Sequence, residues 1–148
     1  MASALITGGT SGIGHAFAVE FASRGTDLVL VARDADRLEK VAAELRETHG
    51  VEVETISADL AVRDDVMRVA DRIEDPARPI DWLINNAGFG LHSTVLDRSE
   101  IDIQARAFDV MCLAVLILGG AAGRAMRARG SGRTVNVKKG QFLSPWDM

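Results

Sequence analysis

The 148-residue sequence contains no tyrosine, and its aromatic residues amount to 5%. No chemistry that relies on a phenol to donate or accept a proton can therefore be carried by these residues. A lone cysteine, Cys112, excludes an internal disulfide and suits a reducing, cytoplasmic setting. The formal charge of −4 lacks the excess of cations that nucleic acid or an anionic membrane would attract. Long hydrophobic runs are missing as well. The longest uncharged stretch near the end, Val110 to Gly123, has 14 residues, short for a membrane span and normal for a buried helix. A strand pattern begins within a few residues of the N-terminus, which leaves no room for a signal peptide. With 47% hydrophobic and 26% charged residues, the composition is that of one soluble domain long enough to bury a core.

Within those bounds, strand-like and helix-like segments alternate. Ala4 to Ile6 suits a buried strand, and Ile13 opens a helical apolar pattern in which Ala16, Phe17, Phe21 and Ala22 mark one face, ending near Arg24-Gly25. Leu28 to Ala32 is a continuous apolar run, as expected of a strand covered on both faces. Leu38, Val41, Ala42 and Leu45 give the stripe of a second helix, with Asp34 or Asp36 as its N-cap and Gly50 as its stop. Residues 51–56 alternate apolar and polar, which places that strand at a sheet edge. A third helix runs from Arg63 to Glu74 before Pro76, and Ile80 to Asn85 forms a fourth strand. Ser99 with Asp102 resembles a capping box that opens a long helix to Arg129, and Thr134 to Val137 reads as a fifth strand. Alternation of this kind implies a doubly wound α/β fold with a parallel sheet.

The stretch Thr7-Gly8-Gly9-Thr10-Ser11-Gly12-Ile13-Gly14 lies between the first strand and the first helix. Its glycines let the backbone turn tightly and approach a ligand, and the free N–H groups of the helix that follows face a phosphate. A P-loop is excluded: Gly9 to Gly14 has the right gap, but His15 stands where lysine is required.

The spacing T-G-x-x-x-G-x-G, with Asp59-Leu60 after the third strand and Asn85-Asn86-Ala87-Gly88 after the fourth, resembles the short-chain dehydrogenase/reductase family. The resemblance covers the chain up to Val137 and implies a Rossmann-like sheet of order 3-2-1-4-5, with residues 1–137 as a partial nucleotide-binding domain and 138–148 as an atypical tail. It implies that Gly8, Gly12, Ile13 and Gly14 hold a pyrophosphate, with Thr10 and Ser11 nearby. Asp59 would bind the adenine ring beside Leu60, and Asn86, Ala87 and Gly88 would line the ribose and nicotinamide end. An N-cap role for Asp59 and a strand-closing turn at Asn85-Asn86 are the plainer readings. At the end of the second strand, where the family's NAD enzymes carry an acid, this chain has Ala32 followed by Arg33. A guanidinium there suits the 2′-phosphate of NADP rather than NAD. The alternative is a solvated Arg33 with Asp34 serving the ribose.

The same resemblance leads one to expect a Tyr-x-x-x-Lys pair, a serine and an asparagine for hydride transfer between nicotinamide and a carbonyl or alcohol. Here Met111 stands at the asparagine position, Lys138-Lys139 follow the fifth strand, and no tyrosine exists. Solvated tail charges are the simpler reading of the two lysines. The expectation is thus an NADP-binding portion of an oxidoreductase, cut short and without catalytic residues. A non-catalytic nucleotide-binding module and a non-functional fragment are the alternatives. His15, His49 and His92 lack metal-ligand spacing, and Cys112 reads as inert core or interface. A fifth strand left as an edge, beside an apolar helix over 99–129, leads to an expectation of homo-oligomers.

Overall fold

The computed structural model describes residues 2–92 and 94–136. Five parallel strands form one sheet in the order β3-β2-β1-β4-β5: β1 Ser3–Thr7, β2 Asp27–Ala32, β3 Val53–Ser57, β4 Trp82–Asn85 and β5 Arg133–Asn136. Leu5 sits opposite Val29 on one side and Leu83 on the other, so β1 lies at the centre of the sheet. The order reverses between β1 and β4, which makes a topological switch point with its crevice outside the C-terminal ends of the strands. This is the place where open α/β sheets take their ligands.

Helices cover both faces. On one, α1 (Gly12–Ser23) and α2 (Ala35–His49) pack with Ala4, Ile6, Leu28, Leu30 and Ile84. On the other, α3 (Arg63–Glu74) and α5 (Ala114–Arg129) pack with Leu5, Val29, Val31 and Leu83. Strand residues alternate between two buried layers, which explains why β1 and β2 read as unbroken apolar runs.

Local chemistry sets the helix ends. The Asp34 carboxylate accepts from the Arg37 N–H at 3.0 Å, deciding the N-cap in favour of Asp34 over Asp36, and Gly50 closes α2 in the left-handed conformation. The apolar face of α1 differs from the sequence expectation. Ala18 and Ala22 are buried, whereas Ile13 and Ala16 are exposed. Only small side chains fit where α1 lies close to the sheet, and Phe17 and Phe21 are displaced to its flank, where Phe21 meets Trp82 at 5.5 Å between ring centroids.

The long helix also differs. Asp97, not Ser99, makes the cap: its carboxylate accepts from the Ser99 N–H at 3.0 Å, opening a 3₁₀ turn over Arg98–Glu100. Helix α4 (Ile101–Phe108) follows, then a π turn over Asp109–Leu113, then α5. The π turn inserts an extra residue into the helical repeat and re-aims the buried stripe. The run Arg98–Arg129 is long and apolar enough to cross a membrane by length and composition. Its Val110, Ala114, Leu118, Ala121, Ala122 and Met126 are instead buried in the core of this domain. Cys112, expected in the core or an interface, is exposed on the opposite side. Val137, the Lys138-Lys139 pair and the tail to Met148 lie outside the described residues.

Candidate nucleotide-binding site

The sequence Thr7-Gly8 ends β1 by turning into the crevice. Thr7 is buried, and its hydroxyl accepts from the backbone N–H groups of Asn86 and Ala87, both at 3.0 Å. The Asn86 side chain answers by donating to the carbonyls of Thr7 at 3.1 Å and Gly8 at 3.2 Å. The ends of β1 and β4 are thereby tied together by reciprocal bonds. Asn86 Oδ1 is buried without a protein partner.

Gly8 has φ +68°, and a Cβ there would stand 3.0 Å from Asn86 Nδ2 and 3.1 Å from Ala87 Cα. Gly14 has a different reason to be glycine. A Cβ on it would overlap the Gly8 carbonyl oxygen and Asn86 Nδ2. Gly12, at φ +55°, has nothing within 4 Å of its would-be Cβ, so its backbone conformation and not crowding favours glycine there.

Helix α1 starts in an unusual condition. Ser11 is the N-cap residue but makes no side-chain cap bond, and the first turn carries no acidic residue. By contrast, α2 and α3 both place aspartates in their first turns. The leading N–H groups of α1 lack intrahelical acceptors, and no carboxylate neutralises the positive end of its dipole. An anion fits that position.

The adjoining cleft has a volume of about 480 Å³, within the usual range for small-molecule sites. Of the residues expected from sequence, Gly8, Thr10, Ser11, Arg33, Asp59, Leu60, Ala87 and Gly88 line it. Gly12, Ile13, Gly14 and Asn86 are outside that lining. Gly14 and Asn86 support the turn from behind, while Ile13 is 51% exposed at the start of α1.

Sequence reasoning missed Arg37, Phe89, Arg106 and Val110, all of which line the cleft. Arg37 follows Arg33 by four residues, a spacing that was visible. Arg106 comes from α4 and reaches the cleft only through the tertiary fold.

Asp59 is not the N-cap of α3, a position held by Val62. One of its oxygens accepts from the Ala61 N–H at 3.0 Å, and the other pairs with Arg106 Nη2 at 2.6 Å. Burial pushes the Asp59 carboxyl upward in pKa. The Arg106 and Ala61 hydrogen bonds, with the charges of Arg106 and Arg33, outweigh this and hold it below its usual value. Among the described residues no cluster of His, Cys, Asp and Glu could hold a metal ion. Met111 lies in the π turn and packs partly buried against the core.

A sheet of order 3-2-1-4-5 with an uncapped glycine turn at the switch point is the arrangement of a dinucleotide fold. The short chain dehydrogenase family model matches residues 2–146. The chain belongs to the short chain dehydrogenase family. A very-long-chain 3-oxoacyl-CoA reductase from Macaca fascicularis is 32% identical over 96% of this chain and 46% of its own length. Among solved structures, a short-chain dehydrogenase from Sphingobium yanoikuyae in complex with NADPH is 40% identical, with a TM-score of 0.86 over 92% of this chain and 52% of that one. The bulky-bulky ketone specific alcohol dehydrogenase from Comamonas testosteroni is 37% identical, with a TM-score of 0.85 over 92% of this chain and 54% of that one. The chain thus spans about half the length of the relatives it matches. Members of the family bind a nicotinamide dinucleotide.

Proposed function

We propose that this short chain dehydrogenase portion binds NADP(H), in preference to NAD(H), as part of an oxidoreductase acting on carbonyl or alcohol substrates. The observation that carries this reading is one cleft shared by the uncapped, acid-free start of α1, by Arg33 just after β2 and by Arg37 in the first turn of α2. In this reading Gly8, Thr10, Ser11, Gly12 and Ile13 surround the pyrophosphate, and Gly14 lets α1 come close enough to do so. Arg33 and Arg37 hold the 2′-phosphate; guanidinium forks suit that group better than an ammonium would. Asp59 and Leu60 flank the adenine, and Ala87 and Gly88 border the path toward the nicotinamide. Asn86 acts behind them by fixing the Gly8 carbonyl. When bound, the nicotinamide supplies or accepts a hydride. The NADPH complex of the Sphingobium relative supports the choice of cofactor.

These residues position a cofactor but include no proton donor placed for a substrate oxygen. Binding without turnover is therefore the activity proposed for the 148 residues themselves, in a cytoplasmic setting, with no nucleic acid or membrane as partner. Phe108 and Leu116 are 66% and 71% exposed, with Cys112 also exposed between them. Their spacing of four residues aligns them on one side of the helix, which supports pairing between copies of the chain.

Titration calorimetry with NADP⁺ and NAD⁺ on the parent and on Arg33→Ala tests the cofactor assignment. NADP⁺ should bind more tightly to the parent, and the variant should lose most of that preference. Equal affinities in the parent would overturn it.

A further inference from the structure

The cleft places charges of opposite sign side by side. Asp59 carries a negative charge into the same cleft as Arg33, and the two sense each other electrostatically. Arg33 forms no ion pair with a carboxylate among the described residues. Left alone, Asp59 would compete with a nucleotide phosphate for that guanidinium and would also repel the phosphate directly. Arg106 prevents both. It arrives from α4, 47 residues away in sequence, and takes Asp59 Oδ2 at 2.6 Å. The other Asp59 oxygen is occupied by the Ala61 N–H.

Resting on the NADP reading above, we infer that Arg106 is a specificity-determining positioning residue, which neutralises Asp59 and so keeps Arg33 available for the 2′-phosphate.

The geometry supports such a role beyond simple stability. The pair is partly exposed, with side-chain exposures of 34% for Arg106 and 28% for Asp59, and it faces the cleft rather than the core. An exposed pair of this kind adds little to folding. Loss of either partner, however, would leave an unpaired charge that any anion entering the cleft would feel. Arg33, Arg37 and Arg106 face Asp34 and Asp59 there, so the lining is positive by one charge. Loss of Arg106 brings it to zero and frees one carboxylate. A 2′-phosphate, present in NADP and absent in NAD, would feel that change most.

Calorimetry of NADP⁺ and NAD⁺ on five proteins decides the matter: the parent, Arg106→Ala, Arg106→Lys, Asp59→Asn, and the double variant of Arg106→Ala with Asp59→Asn. Arg106→Ala should lower the preference for NADP⁺ about fivefold, as expected of one partly screened charge. Asp59→Asn added to it should restore the preference, because no carboxylate then remains to be neutralised. Arg106→Lys, which keeps the charge, should retain most of it and guards against a poorly folded alanine variant. Equal weakening of both nucleotides by Arg106→Ala, with no restoration in the double variant, would show that Arg106 only supports the fold and would overturn the inference. If Arg106→Ala leaves the preference unchanged while the parent still selects NADP⁺, the inference falls and the NADP reading stands. A parent that binds neither nucleotide overturns both.

Discussion

The turn at the end of β1 and the helix that runs from Arg98 to Arg129 border the same cleft, yet they are built on opposite principles. Around the turn every element restrains another: Thr7 accepts from Asn86 and Ala87, Asn86 donates to Thr7 and Gly8, and Gly14 leaves no room for a methyl group. The long helix is restrained on one side only. Its inner stripe is core, while Ile101, Phe108 and Leu116 are exposed and a π turn interrupts it at Asp109–Leu113. The first region is held from several sides by its own neighbours. The second leaves large apolar side chains exposed among the described residues. Under the reading proposed above, the first region would hold the cofactor without help from the second.

The largest effect that would break this contrast is turnover. With no tyrosine in the sequence and no acid or base placed for a substrate oxygen among the described residues, the 148 residues should show no hydride transfer to ketones or aldehydes when NADPH absorbance is followed; such groups typically contribute about 10²–10⁴ in rate. Turnover that survives purification and disappears in Gly12 variants would mean that the second region is chemically complete after all.

Next in size is the difference between two glycines two residues apart. Gly14→Ala should destabilise the fold by about 3 kcal/mol, the upper range for forced overpacking. Gly12→Ala should cost roughly 1 kcal/mol, because only its backbone conformation is strained. Denaturant melts of both variants measure this, and equal losses would show that the turn is less tightly interlocked than its contacts imply.

A smaller effect concerns the exposed helix side. If copies pair through it, Phe108→Asp together with Leu116→Asp should shift the mass from light scattering toward the monomer and leave the circular dichroism spectrum unchanged. A parent that is already a stable monomer would refute pairing through this face.

The smallest is a pH effect at the junction of the two regions. The folded pKa of Asp59 lies below its unfolded value, so its contribution to stability is present above the unfolded value and is lost as pH falls through the folded one. Stability of the parent should therefore drop on acidification through and below the ordinary carboxylate range, and Asp59→Asn should flatten part of that drop. Identical pH profiles for parent and variant would remove Asp59 from the account.

The amino-acid sequence by itself determined the alternation of strands and helices, the bounds of α3, the edge position of β3 and the existence of the glycine turn after β1. These follow from local rules: side-chain period, glycine and proline placement, and a capping aspartate before α2. Eight of the cleft-lining residues were legible through the family resemblance, carried by short motifs at strand ends, and not through local rules alone. Only the tertiary structure decided the rest. Whether α1 would bury Ala18 rather than Ala16 depended on how close the helix approaches the sheet. Whether Asn86 would line the cleft or brace it depended on the Thr7 and Gly8 carbonyls opposite. The meeting of Arg106 with Asp59 required α4 to fold back over the end of β3, a contact between residues far apart in sequence that no local pattern encodes.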